Sequence, residues 1–424
     1  MASPAPRASA DRARRPSPNV AAVVVLVALA GALLLWQRPW HDDSPAAGVV
    51  PLPADAPAQL TAQLRDLSEA SSEAGFVAMM GDLPAARDFG RRTWRSLQAV
   101  AAPGATFRYI SGGEVPDRAD GSATAVAEVE WRPSGESGLD PAVTHRSTVD
   151  LTVTPQDDGT LSIVGAGQQA GSAPLWLLGA VTVDRDDRRV VLSIDGGGVD
   201  RPVPEMASQA RSAVERAVPD ARGDLVVVSP ATQAQMAAMV GQPEDAVAQI
   251  AAVTTDIDGD TATRDAVVVL NPDVFATMDQ RAAQVVLSHE ATHALTPAVG
   301  TTAANWVVEG FADYVALRDD PAPLTVSAGQ ILREVSAGRG PTQLPADADF
   351  GSTQHGLGAV YESAWMVFRM LGEQHPPSAL VTFYEAVIGG APVDEALETS
   401  FGLTVDQLTS DWLDYLTKSA STVS

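Results

Sequence analysis

Residues 284–295 read Q-V-V-L-S-H-E-A-T-H-A-L, and within them His289, Glu290 and His293 spell H-E-x-x-H. On an α-helix, residues four apart differ by about 40° in azimuth and roughly 6 Å in rise. Two imidazoles at that spacing leave one face together, where their ring nitrogens can share a single metal ion. Glu290 falls beside the first histidine, so its carboxylate reaches a water near the ion rather than the ion itself. Metal-assisted hydrolysis needs this separation of roles. A Lewis acid lowers the pKa of the water toward ~7, and a neighbouring base takes the proton. The flanking residues fit a helix. Thr277 and Gln280 match a T-x-x-Q capping box, the apolar Ala282, Ala283, Val285, Val286 and Leu287 follow, and Pro297 and Gly300 end it. The competing reading is a chance coincidence on an amphipathic helix, a risk attached to any short motif.

A catalytic zinc takes three protein ligands and keeps a fourth position open. Glu309, in W-V-V-E-G-F-A-D-Y over 306–314, lies sixteen positions after His293 across a turn containing Pro297 and Gly300. That length lets a second helix, capped by Thr301 or Thr302, fold back on the first. Asp313 is one turn after Glu309 and on its face, placed to accept a hydrogen bond from a ligand histidine and so fix its tautomer. The alternative, a solvated acidic face, fits poorly with Trp306, Val307, Val308, Phe311 and Ala312 around it. A carboxylate buried there needs a partner.

Together, H-E-x-x-H, a spacer of this order and W-x-x-E-G-F-A-D-Y resemble the gluzincin zinc metallopeptidases, and most nearly their peptidase MA-like group. The stretch Y-E-S-A-W-M-V-F-R-M-L over 361–371 and the segment from Pro377 to Leu416 extend the resemblance, which covers roughly residues 180 to 418. It implies a zincin-like domain binding Zn2+ through His289, His293 and Glu309, with Glu290 as general base and a peptide or protein as substrate. It also implies an antiparallel edge strand pairing with extended substrate, for which Ala266–Leu270 is the candidate. The same almost wholly apolar run also reads as an interior strand buried on both faces. No G-A-M-E-N-like signature for a free amino terminus precedes the motif. Tyr361 or His355 is expected to supply a second donor opposite the metal, where one such donor is worth ~10²–10³ in kcat. A core role for Tyr361 remains open beside it.

The 424 residues contain no cysteine, which excludes disulfides, thiolate metal sites and cysteine catalysis. The formal net charge is −25, although residues 1–40 carry five arginines against one aspartate. Such acidity opposes nucleic acid and anionic lipid as partners of the main body. Gly196 to Gly198 reads as a turn rather than a phosphate loop, and there are no internal repeats.

Residues 1–19, rich in Pro, Ala and Arg, read as a disordered cytoplasmic tail. Residues 20–36 are uncharged and span about 26 Å as a helix, near the lower limit for a bilayer core of ~30 Å. Arg7, Arg12, Arg14 and Arg15 precede this run, so the positive-inside rule puts the remainder outside the cytoplasm. The expectation is a single-pass cell-membrane anchor, with a cleaved signal peptide as the alternative. A linker over 37–57 leads to a small α+β unit over 58–173, similar in element order to cone-shaped folds of the nuclear-transport-factor type. Helical patterns fill 58–101, and strands are expected over 106–110, 123–131, 143–154 and 161–164, with His145 an exposed strand residue. The metallopeptidase-like domain then occupies 174–424. The expected fold class is thus α+β: a zincin-like domain preceded by the smaller α+β domain and a transmembrane helix. The expected function is peptide-bond hydrolysis outside the cytoplasm by a membrane-anchored zinc enzyme. The alternative is a catalytically inactive zincin-fold binding protein, and intact Glu290 favours the enzyme.

Overall fold

Alternation with a period of two along a handful of short strands organises the molecule. The computed structural model describes residues 55–100, 104–112, 122–167, 172–221, 223–257, 265–351 and 357–423. Three helices come first: α1 (Ala56–Ser68), α2 (Glu73–Met80) and α3 (Pro84–Val100). Leu60, Leu64 and Leu67 line the buried stripe of α1. A four-stranded antiparallel sheet follows in sequence order, β1 (Thr106–Gly112), β2 (Ala123–Trp131), β3 (His145–Pro155) and β4 (Leu161–Gly167). Along β2, Ala123, Ala125, Ala127, Val129 and Trp131 are buried. Glu128 and Glu130 face the other way and pair across strands with Arg108 and Arg146 at 2.9 and 2.6 Å.

The short helix α4 (Leu175–Leu178) leads to a second sheet. Its strands are β5 (Val181–Arg185), β6 (Arg189–Ile194), β7 (Leu225–Ser229), β8 (Ala252–Asp256) and β9 (Ala266–Leu270), in spatial order β5-β6-β7-β9-β8. β6, β7 and β9 run parallel, and β5 and β8 close the two edges antiparallel. A parallel pair needs a crossover, and α5 (Val203–Ala217) supplies it between β6 and β7. Between β7 and β8 lie α6 (Gln233–Met239) and α7 (Glu244–Val247). After β9 the chain is helical: α8 (Pro272–Phe275), α9 (Gln280–Leu295), α10 (Asn305–Leu317), α11 (Leu324–Ser327), α12 (Gly329–Ser336), α13 (Leu357–Gln374), α14 (Pro377–Ile388), α15 (Val393–Phe401) and α16 (Val405–Val423).

The second sheet is the middle layer. Val191, Leu225, Val227, Val268 and Leu270 point into a core with α5, α9, α10 and α13. Their strand neighbours Val190, Leu192, Val226, Val228, Val267 and Val269 point into a core shared with α1–α3 and the first sheet. Residues on both sides of the expected 173/174 boundary therefore pack into one cluster.

Several expectations are corrected. The candidate substrate strand Ala266–Leu270 is interior, lying between β7 and β8, and its apolar character follows from burial on both faces. The edge beside it is β8, whose A-V-T-T-D sequence carries too weak a pattern to be read in advance. His145 is fully buried, with Nε2 3.0 Å from Asp265 Oδ2 and its ring against Trp131. The helical stretch 58–101 includes the expected run from Pro84 to Val100 as α3, and the part before it is two helices rather than one, with α2 started by the side chain of Ser72. In the expected fold class, α+β character stands, but the transmembrane helix does not. Among the described residues no helix is long and apolar enough to cross a membrane. The longest, α13 and α16, are interrupted by charges such as Glu362, Arg369, Asp411 and Lys418. Residues 20–36, on which the anchor and the topology rested, lie outside the described residues, as do 1–19 and most of the linker.

Candidate metal centre

The helix carrying H-E-x-x-H is α9, and its N-cap is Asp279 rather than Thr277. The Asp279 carboxylate accepts from the Ala282 N–H at 2.7 Å, while the Thr277 hydroxyl donates back to Val274 O. The helix is covered on nearly every side, by the second sheet, α5 and α10, and only a few of its side chains reach the surface. Its C-terminal end turns at Thr296, and Gly300 takes a left-handed φ of 73° before the chain returns. Arg281, bonded to Asp320 at 3.0 Å, ties the first turn of α9 to the end of α10.

No threonine caps α10. The backbone N–H of Asn305 donates instead to Asp347 Oδ1 at 2.8 Å, from a segment some forty residues later. Gly310 sits between the two acidic positions of this helix. A Cβ there would lie 2.6 Å from Ala364 O, so glycine is what lets α10 press directly against α13. Phe311 stacks on Tyr384 of α14 with ring centroids 4.0 Å apart and meets Phe368 of α13 edge-on.

These helices bring His289, His293 and Glu309 together, all buried. His289 Nε2 is 3.0 Å from His293 Nε2 and 3.2 Å from Glu309 Oε2, and His293 Nε2 is 3.5 Å from the same oxygen. A tetrahedral ion with bonds of about 2.0–2.1 Å sets its ligands about 3.3 Å apart, so the three atoms form one face of such a polyhedron. The donor chemistry also fits. Two imidazole nitrogens aimed at each other can share only one proton between them, and Glu309 Oε1 is buried with no hydrogen-bond partner among the described residues. A cation would satisfy both. Among the described residues, this group could hold a metal ion.

Asp313 Oδ1 lies 2.8 Å from His289 Nδ1, which keeps the proton on Nδ1 and the Nε2 lone pair toward the centre. Burial disfavours charge on His289, but Asp313 and Glu309 outweigh it and hold the imidazole well above its ordinary value. Burial likewise opposes ionisation of Glu309. His293 nevertheless, with hydrogen bonds from both histidines, holds it down at about 2. Glu290 is buried beside the cluster and raised above the usual carboxylate range, chiefly by burial, with the two histidines and the Thr254 hydroxyl pulling the other way.

Tyr361, on α13, is fully buried against the edge of Phe350, 5.3 Å away, and its hydroxyl has no hydrogen-bond partner among the described residues. Burial pushes that phenol well above its ordinary value, and Glu309, Asp313 and Glu290 add to the rise, which places it in the field of the cluster. His355 lies outside the described residues. His145 belongs to the other core.

No family model, curated protein or solved structure matches this chain. Its function is therefore argued from the geometry of its own residues.

One participant has no sequence signal. Thr254 bonds Glu290 from a strand thirty-six residues earlier, and nothing in a lone threonine marks it out. Tyr384, whose hydroxyl is 2.7 Å from Thr296 Oγ1 behind α10, is likewise invisible to motif spacing.

Proposed function

We propose that this chain is a zinc-dependent peptidase of gluzincin type. The observation that carries the reading is the set of three buried donor atoms spaced as a tetrahedral face, with Glu290 on the same helix beside them. Two imidazoles and one carboxylate form a donor set that suits zinc and leaves one position open. A zinc ion held there supplies a Lewis acid for a carbonyl oxygen and lowers the pKa of water toward ~7.

The chain's own residues supply the rest. Asp313 holds His289 in the ligating tautomer. Glu290 takes the proton of the attacking water and returns it to the leaving amine nitrogen, and burial brings its basicity toward that of the groups it serves. The unpartnered Tyr361 hydroxyl is free to donate to the oxyanion as charge develops on the carbonyl oxygen. The strand β8 ends its sheet beside α9 and offers a backbone edge to which an extended peptide can add.

Purified protein is expected to hold about one zinc per chain. His289→Ala/His293→Ala should lose it, whereas Glu290→Gln should keep it and lose most turnover of a peptide library. Stoichiometric metal in the double histidine variant, or unchanged cleavage by Glu290→Gln, refutes the assignment.

A further inference from the structure

Every side chain assigned to the chemistry is shut away from solvent. His289, Glu290, Glu309 and Tyr361 are at most 4% exposed, and His293 only 8%. The Tyr361 hydroxyl lies wholly inside, without a hydrogen-bond partner among the described residues. An oxyanion donor must come within about 2.7–3.1 Å of the oxygen it serves. A carbonyl oxygen is about the size of a water molecule, and where water does not reach, neither does a substrate carbonyl. For Tyr361 to meet a substrate, a covering group has to move.

The elements packed on α13 include α10, α12, α14, α16 and a 3₁₀ turn, Asp347–Gly351. Each of the helices is built into the core by two or more apolar side chains. The turn has one buried residue, Phe350, while Asp347, Ala348, Asp349 and Gly351 are exposed. It is also closed on itself. The Ala346 N–H donates to Asp349 Oδ2 at 2.8 Å, and the Asp349 N–H donates to Ala346 O at 2.9 Å. Those bonds hold its shape without help from the helices beneath, so it can move as a unit.

Two contacts tie the turn to the helices of the site. Phe350 lies edge-on to Tyr361, with ring centroids 5.3 Å apart and planes at 75°. Asp347 Oδ1 accepts at 2.8 Å from the N–H of Asn305, the first residue of α10, and Glu309 follows one turn along that helix. A carboxylate at a helix N-terminus is favoured by the helix dipole. Asp347 is exposed, however, so water can replace this bond at small net cost. A contact of that kind holds a segment in place and still lets it go.

We propose that the turn Asp347–Gly351 is a lid over Tyr361, with Phe350 as its plug and Asp347 as its latch on α10. Substrate reaches the Tyr361 side of the site when the lid lifts. This deepens the reading of Tyr361 as the oxyanion donor and rests on it. The closed arrangement described here is then the resting state, and apparent affinity for a peptide falls with the fraction of molecules that are closed.

The chain contains no cysteine, so an introduced thiol is the only one present. Tyr361→Cys puts a thiol under the lid. Its rate of reaction with a small aromatic disulfide, measured in the metal-free protein, reads lid opening without zinc or turnover. Adding Asp347→Ala or Phe350→Ala is expected to raise that rate ~10-fold, the worth of one hydrogen bond or small apolar contact to a local opening. A thiol placed by Val227→Cys in the fully buried middle sheet should react no faster in the same backgrounds. If Phe350→Ala fails to fold, the surface change Asp347→Ala carries the comparison. In the zinc-loaded full chain, Asn305→Cys/Asp347→Cys bridged by a short bis-methanethiosulfonate should lose turnover of a peptide library at least ~10-fold. Metal content should be unchanged, and reductant should restore activity. The same pair capped by a monofunctional methanethiosulfonate should stay active.

Equal rates at position 361 with and without the latch and plug refute the lid, and so does a Val227→Cys thiol that speeds up alongside. A bridged protein as active as the capped one refutes it too. Full turnover in Tyr361→Phe, with the thiol rates as expected, removes the oxyanion role and leaves the lid. Full turnover in Glu290→Gln overturns the peptidase reading, and the thiol rates then decide the lid separately.

Discussion

Tyr361 is the residue whose environment most needs a reason. A fully buried hydroxyl without a partner costs about 1–3 kcal/mol, and Tyr361 is such a group, facing three carboxylates. Phenylalanine would fill the same space without that penalty, so packing alone does not account for the hydroxyl. Tyr361→Phe should lower kcat by ~10²–10³ if the phenol meets the oxyanion. Because the orphaned group is removed, melting temperature should hold or rise, with metal content unchanged. Wild-type kcat with a lowered melting temperature would make Tyr361 a packing residue. At this scale most of the site was legible. The four-residue spacing of His289 and His293 fixes a shared helix face, and Glu309 stands out as a carboxylate in apolar surroundings, with Asp313 one turn on. Thr254 was not legible, because it meets Glu290 only through sheet order.

Among elements, the strands show which patterns specify a position and which do not. β2 was readable to its ends because alanine, valine and tryptophan alternate with threonine and glutamate. β9 was readable as a strand, but an apolar run does not say whether a neighbour lies on one side or two, and β8 supplied the second neighbour. Helix starts misled for a related reason. Asp279 and Asp347 cap as well as threonine does, and Asp347 does so from far along the chain. Another distant carboxylate, Glu362 on α13, accepts from the N–H groups of Gln330 and Ile331 at 2.7 Å and so caps α12. Burial raises this group to about 7, against the pull of those two N–H donors. Its folded value thus lies above the ordinary ~4.3 of a glutamate. Between those pH values the native state keeps a proton that the unfolded chain has lost. Stability is therefore fully present below about 4.3 and declines as pH rises through about 7. A shift of this size is worth on the order of 3 kcal/mol. Glu362→Gln cannot ionise, so the variant should gain on the wild type in melting temperature between pH 5 and pH 8. A difference between the two proteins that stays constant across that range would contradict the assignment.

For the whole molecule, two layers of core share one sheet, and this was the least legible feature. A composition change near 171–174 looks like a boundary, because the sequence records what each strand buries but not which distant layer it buries it against. The pattern V-V-V in β7 is the signature of burial on both faces, and the second face is covered by α1–α3 and the first sheet. A prediction about folding follows. A chain beginning at residue 172 would strip α1–α3 and the first sheet from Leu192, Ile194, Val226, Val228, Val267 and Val269, leaving Leu175, Trp176, Leu177 and residues of α6 and α7 on that face. At roughly 1.5–3 kcal/mol for each large apolar side chain, their exposure costs on the order of 10 kcal/mol, comparable to the whole net stability of a domain. The three candidate metal-binding residues would be present in that shorter chain, yet α9 packs on a sheet whose other face has lost α1–α3 and the first sheet. Residues 172–424 alone should therefore be insoluble or lack fixed tertiary structure by near-ultraviolet circular dichroism, and should fail to retain stoichiometric metal. Residues 55–424 should fold in one cooperative transition by both circular dichroism and tryptophan fluorescence, since Trp131 and Trp176 report one core and Trp306 and Trp412 the other. A soluble 172–424 fragment with a sharp melting transition and one bound metal would show that the first layer is dispensable and that the middle sheet does not depend on it.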